Sequence, residues 1–195
     1  MGCDIHGTWE LFHPVFNRWV SFKPINDSRS YAWFGIIAGV RDADEPRVEV
    51  IMGRSADPER STSESFSKMW IEYCKRWGRG LHSHAIVPWH SVIAANEMMW
   101  LMRQRDRVFE EVTDAHFTHE PNMDRIIMSY HEDVPDADFL VESVIVEPRL
   151  GQNEWGEEVQ IPIELPMGVT LGDILGSTDT EVIGDRVRMV VAFDN

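Results

Sequence analysis

The strongest constraint on this fold is where its alternating and β-branched stretches fall: near both ends of the sequence, with helical periodicity between them. In residues 3–13, Asp4, His6, Thr8 and Glu10 share one parity, while Cys3, Ile5, Trp9 and Leu11 share the other. A strand sends the two sets to opposite faces. Phe16–Phe22 reads as a second strand after His13-Pro14, which predicts a hairpin. Late in the sequence Phe139–Glu147, Val159–Glu164 and Arg186–Phe193 are rich in β-branched residues and read as strands.

Between these lie three main helices. Ser28 is placed to cap a helix running through Val40, with Tyr31, Trp33, Phe34, Ile37 and Ala38 on its apolar side. Ser63–Trp77 carries Phe66, Met69, Trp70 and Tyr73 at helical spacing and stops at Gly78 and Gly80. Pro88 suits the first turn of a long helix reaching about Val112. Thr170–Leu175 reads as a short helix, and residues 113–135 fit neither period. Residues 42–64 read as a long surface loop holding one short strand at Val48–Met52. The expected fold is α+β: a single domain over 1–195, with a mixed or antiparallel sheet that includes the N- and C-terminal strands.

Eighteen basic against thirty-three acidic residues give a formal net charge of −15. Such a chain is repelled by bulk nucleic acid and by anionic membranes. The nearest approach to a basic patch is Lys75-Arg76-Trp77-Gly78-Arg79. The N-terminus lacks a basic then apolar leader, and Gly2 is followed by His6 where a myristoylation motif needs Ser or Thr. No stretch approaches eighteen apolar residues. With only Cys3 and Cys74, the expected setting is a reducing cytoplasm with free thiols. Eight tryptophans imply an aromatic core, some of it able to line a pocket for a planar ligand.

Several of these motifs resemble those of a family of bacteriophage and prophage proteins with an N-terminal MGCDIH motif. The matching positions are Met1–His6, Glu10, Arg29, Tyr31, Phe34, Val40-Arg41, Trp77-Gly78, His82-Ser83 and Phe193–Asn195. The chain departs at Gly35, where the family usually has Ala, and at Arg79–Leu81, where an Asp often precedes the His-Ser. The resemblance implies a phage origin, hence the host-cell cytoplasm, and a fold shared with relatives. It implies no particular reaction.

The residues themselves offer two constellations. Asp4 and His6 lie on one strand face, about 6.5–7 Å apart, with Glu10 further along. His82-Ser83-His84 follows a glycine turn, and two imidazoles two residues apart on extended chain are able to share a metal ion. Asp4, His6, His82 and His84 are thus candidate ligands for a divalent ion such as Zn, Mn or Fe, with Glu10 supporting a ligand from behind or acting as general base. The competing reading makes the histidines helix caps or carbonyl partners. Arg29 at a helix N-terminus is a candidate anion holder, on the order of 18 Å from Arg41 by helical rise. Two functions follow as expectations. One is a metal-dependent hydrolase acting on a phosphodiester or nucleotide. The other is a non-catalytic phage accessory protein that binds a host protein or sequesters a nucleotide signal.

Overall fold

A computed structural model describes residues 3–26, 30–40, 45–113, 131–142, 149–152, 158–161 and 168–194. The fold is α+β, as the pattern predicts. Strands β1 (Ile5–His13) and β2 (Arg18–Pro24) form the expected hairpin, followed by helix α1 (Tyr31–Ala38), strand β3 (Ile51–Met52) and helix α2 (Lys68–Trp77). Strand β4 (His82–Pro88) runs directly into helix α3 (Trp89–Thr113). Short strands β5 (Leu140–Val141), β6 (Arg149–Gln152), β7 (Glu158–Ile161) and β8 (Val169–Thr170) come next. Helices α4 (Leu171–Leu175) and α5 (Thr180–Arg186) lead into β9 (Val187–Phe193).

The main sheet has the order β2-β1-β9-β4-β3, and every pairing in it is antiparallel. β1 and β9 lie side by side at its centre, with Ile5 opposite Phe193 and Leu11 opposite Val187. This register fixes which side chains share a face. One face carries Ile5, Trp9 and Leu11 with Val187, Met189, Val191 and Phe193, covered by α1, α3, α4 and α5. Trp33 and Phe34 of α1 are fully buried here, and the Phe34 ring meets Phe193 edge-on at 5.1 Å. Burying one such side chain stabilises the fold by roughly 1.5–3 kcal/mol. Cys3 is part of this core, as its parity predicts.

The opposite face is smaller. Ala56, Phe66, Trp70, Cys74, Leu81, Ile86, Val190 and Ala192 form its core, with α2 as the cover. Gly7 lets the sheet close between β1 and β9, because a Cβ there would run into the Val190 carbonyl oxygen.

Sequence-level capping logic holds, though at shifted positions. The cap of α1 is Ser30, which accepts the Trp33 N–H, and Gly39 ends the helix in the left-handed conformation at φ 63°. Ser28 lies outside the described residues. Helix α2 starts at Ser67 rather than Ser63, with the Ser67 hydroxyl accepting the Trp70 N–H. Thr170 caps α4 in a reciprocal box with Asp173. Pro88 ends β4 instead of starting a helix, and α5 is a helix that the periodicity did not single out. Within 42–64, residues 45–64 hold β3 and short 3-10 turns.

One buried carboxylate staples a remote segment to the sheet. Glu132 is fully buried; it accepts from Trp9 Nε1 at 2.7 Å, from the Asn26 N–H at 3.0 Å and from Lys23 Nζ at 3.2 Å. Asn96 of α3 brackets its backbone, donating to the Glu132 carbonyl at 2.8 Å and accepting its N–H at 3.2 Å.

Candidate functional site

His6, Thr8 and Glu10 stand in one row on the α2 side of β1, opposite Ala192, Val190 and Arg188 of β9. The row changes character along its length. Glu10 is fully buried, and both of its oxygens are engaged. Oε1 accepts the Ser67 N–H at 2.8 Å, while Oε2 accepts Arg188 Nε at 2.9 Å and Nη2 at 2.7 Å. Arg188 also donates to the Ser65 carbonyl and lies over the Trp19 ring at 3.6 Å. Burial pulls the Arg188 guanidinium below the ordinary arginine range, and Glu10 opposes that shift. Glu10 thus holds the start of α2 against the sheet, and no lone pair faces a cleft.

His6, at the other end, is partly accessible. Its Nδ1 lies 2.8 Å from the Tyr73 hydroxyl, and its Nε2 lies 3.3 Å from Asp194 Oδ2. The Asp194 carboxylate is itself anchored, because Oδ1 accepts the Asp4 N–H at 3.1 Å and the Asp194 N–H returns to the Asp4 carbonyl at 3.1 Å. Nε2 is buried and makes no hydrogen bond among the described residues, so Asp194 meets it only at ion-pair distance. Tyr73 is pushed above the usual tyrosine range, mainly by burial; a hydrogen bond from Trp77 opposes this, and the charges of Cys74 and Asp194 add to it. Tyr73 therefore rests as a phenol hydrogen-bonded to His6 Nδ1.

Aromatic rings frame this triplet. Trp70 stacks on Tyr73 at 5.7 Å and 8°, and Trp77 packs on His6 at 4.8 Å. Trp70 is buried, whereas Trp77 is 44% exposed. Tyr73 and Trp77, four residues apart, present one face of α2 to the sheet. Lys75, Arg76 and Arg79 are exposed around them. Cys74 is buried in the second core, and burial pushes its thiol up to about 12, with nearby Asp57, Glu59 and Glu10 adding to the shift; it is no nucleophile.

The four residues expected to share a metal ion are not brought together. Asp4 meets Asp194 through its backbone, and His6 is held between Tyr73 and Asp194. His82 pairs across from Phe193, in the row of Ile5, so it belongs to the main-core face, with Nδ1 2.9 Å from Ser83 Oγ. A bulge follows, where Ser83 takes a positive φ of 50°. His84 falls on the α2 side near Asp57 and Glu59; burial pulls its imidazole below the ordinary range, and those two carboxylates oppose the shift. The Ser83 bulge thus separates two histidines that simple alternation places together. Among the described residues no three His, Cys, Asp or Glu side chains converge as metal ligands, and the donor set does not fit such an ion. Arg29 lies outside the described residues.

Asp194, Tyr73 and Trp77 are the site residues that the sequence reading did not assign. Each stood in a visible motif: Asp194 in the terminal Phe-Asp-Asn, Tyr73 in the helical stripe, Trp77 in the Trp-Gly pair. What joins them is the β1–β9 register, which places Asp194 beside Asp4. Compared with family models, with curated proteins and with solved structures, the chain has no match.

Proposed function

We propose that this is a phage-encoded hydrolase of phosphodiesters or nucleotides that works through Tyr73, His6 and Asp194. The observation that carries the reading is the Tyr73 hydroxyl hydrogen-bonded to His6 Nδ1 at 2.8 Å, with the Asp194 carboxylate at ion-pair distance, 3.3 Å, from the other ring nitrogen. It follows the logic of a nucleophile, a base and an orienting acid. As the Tyr73 oxygen attacks phosphorus, its proton passes to His6 Nδ1, and Asp194 stabilises the imidazolium. The bond from phosphorus to the leaving oxygen breaks, and His6 returns the proton to that oxygen. Water then attacks the phosphotyrosine with His6 as base, restoring Tyr73. A base stacked on Trp77, with its phosphate near Lys75, Arg76 and Arg79, suits such a substrate.

The test is turnover of bis(p-nitrophenyl) phosphate and a panel of nucleotides, with acid-quenched samples analysed by mass spectrometry for phosphorylated Tyr73. Tyr73→Phe and His6→Ala each lower turnover by about 10²–10⁴-fold. Unchanged turnover in both variants, or no trapped adduct, rejects the mechanism. The accessory-protein reading has its own support in α3, where Trp100 and Leu101 are 60% and 59% exposed. A host protein retained by wild type and lost with Trp100→Ser, together with an inactive Tyr73 site, selects that reading instead.

A further inference from the structure

A second cleft, on the main-core side and separate from His6, is formed where α3 begins against α5. Trp89, His90, Thr180, Glu181, Gly184 and Asp185 line it, an open cleft of about 410 Å³. That volume lies in the range of small-molecule sites. The Trp89 ring is a fixed wall, because its indole N–H donates to the Pro135 carbonyl at 2.8 Å. Gly184 leaves the ring uncovered: a methyl there would sit 3.6 Å from Trp89 Cε3, in ordinary contact.

Glu181 and Asp185 are four residues apart on α5, so both carboxylates rim the same side. Neither has a basic partner among the described residues. His90 Nε2 lies 3.7 Å from Glu49 Oε2, which brings a third carboxylate to the mouth. Anions are repelled from this opening. An organic cation gains from the carboxylates and from the indole face together, and the indole is the strongest cation-binding aromatic.

We propose that this cleft binds a slender organic cation, a free guanidinium or primary ammonium compound. The probe is agmatine, titrated into protein labelled with ¹⁵N at the tryptophan indoles and followed at the Trp89 signal, which is assigned with Trp89→Phe. A saturable shift is expected, weakened at least about tenfold in Glu181→Gln/Asp185→Asn, whose side chains are exposed and leave the fold intact. Gly184→Ala separates binding from folding. It adds a better helix former, so the urea midpoint holds or rises, while agmatine binds more weakly. Neutral pentanamide leaves the signal unmoved. No shift at about 10 mM agmatine, or equal binding by the double variant, overturns the proposal. Tighter binding of a capped arginine peptide than of agmatine assigns the cleft to a partner's side chain and overturns the small-molecule reading.

Discussion

Glu10 and His6 stand on the same strand and the same face, four residues apart, yet do opposite work. Glu10 is fully buried with three donors on its two oxygens, all from the protein. His6 has one hydroxyl and one carboxylate beside it and stays partly accessible, though its Nε2 is buried, next to a tryptophan that is 44% exposed. A saturated buried charge is a structural tie, because any reaction would first have to break it. A partly accessible group whose neighbours differ in proton affinity is able to exchange protons with a ligand. The residue type alone did not distinguish the two, since glutamate and histidine are both common catalytic groups. Their partners do.

The contrast is sharpest under substitution. Arg188→Met leaves Glu10 buried without its counter-charge and is expected to cost about 3–5 kcal/mol in urea unfolding. Adding Glu10→Gln to that variant restores part of the loss, since the uncompensated charge is then gone. If Arg188→Met unfolds like wild type, the structural assignment of Glu10 fails. At the other end, Asp194→Asn is expected to cost about 1 kcal/mol or less, because its partnership with His6 is partly exposed. Turnover should nevertheless drop by about 10²-fold or more, with the fold intact by circular dichroism.

A smaller effect is read through pH. His84, and His13 on the β1–β2 hairpin, both have imidazoles pulled below the ordinary 6.5 by burial. The unfolded chain then takes up protons before the folded one does. Stability is therefore fully present above about pH 6.5 and falls as the pH drops from there toward the lowered folded values. His84→Gln should flatten that slope in denaturation series between pH 7 and 5 (about two units, spanning the ordinary histidine range). An unchanged slope would place the acid sensitivity elsewhere. Trp77→Ala is expected to cost about 1 kcal/mol, because the ring is 44% exposed yet packs on His6. Its effect should appear as a raised KM for nucleotides, not for substrates without a planar base.

Particular residues show how far the sequence was readable. The parity of residues 3–11 placed Cys3, Ile5, Trp9 and Leu11 in the core and His6 and Glu10 opposite, as observed. Alternation is a local property of extended chain, so sequence carries it. His82 and His84 were misjudged for a physical reason. They lie on extended chain, as expected, but the Ser83 bulge puts them on different faces, which depends on a single backbone rotation. Asp194 was unassigned because its role depends on register with a segment 190 residues away. No local window contains that information. Glu10 looked like a free base because its partner, Arg188, comes from the same distant strand.

The central position of β1 against β9 also has a kinetic consequence. β1 is made early, but one of its two neighbours is the last strand of the described chain. During synthesis its inner edge must wait, unpaired, until residue 193 has emerged. Contacts of such long sequence separation slow folding and expose a sticky edge meanwhile. The contacts of Asp194 with Asp4 and His6 are then among the last to form. A nascent or truncated chain lacking Asp194 leaves the Asp4 N–H and the His6 imidazole without that neighbour, so this corner of the sheet is completed only when the last strand is in place.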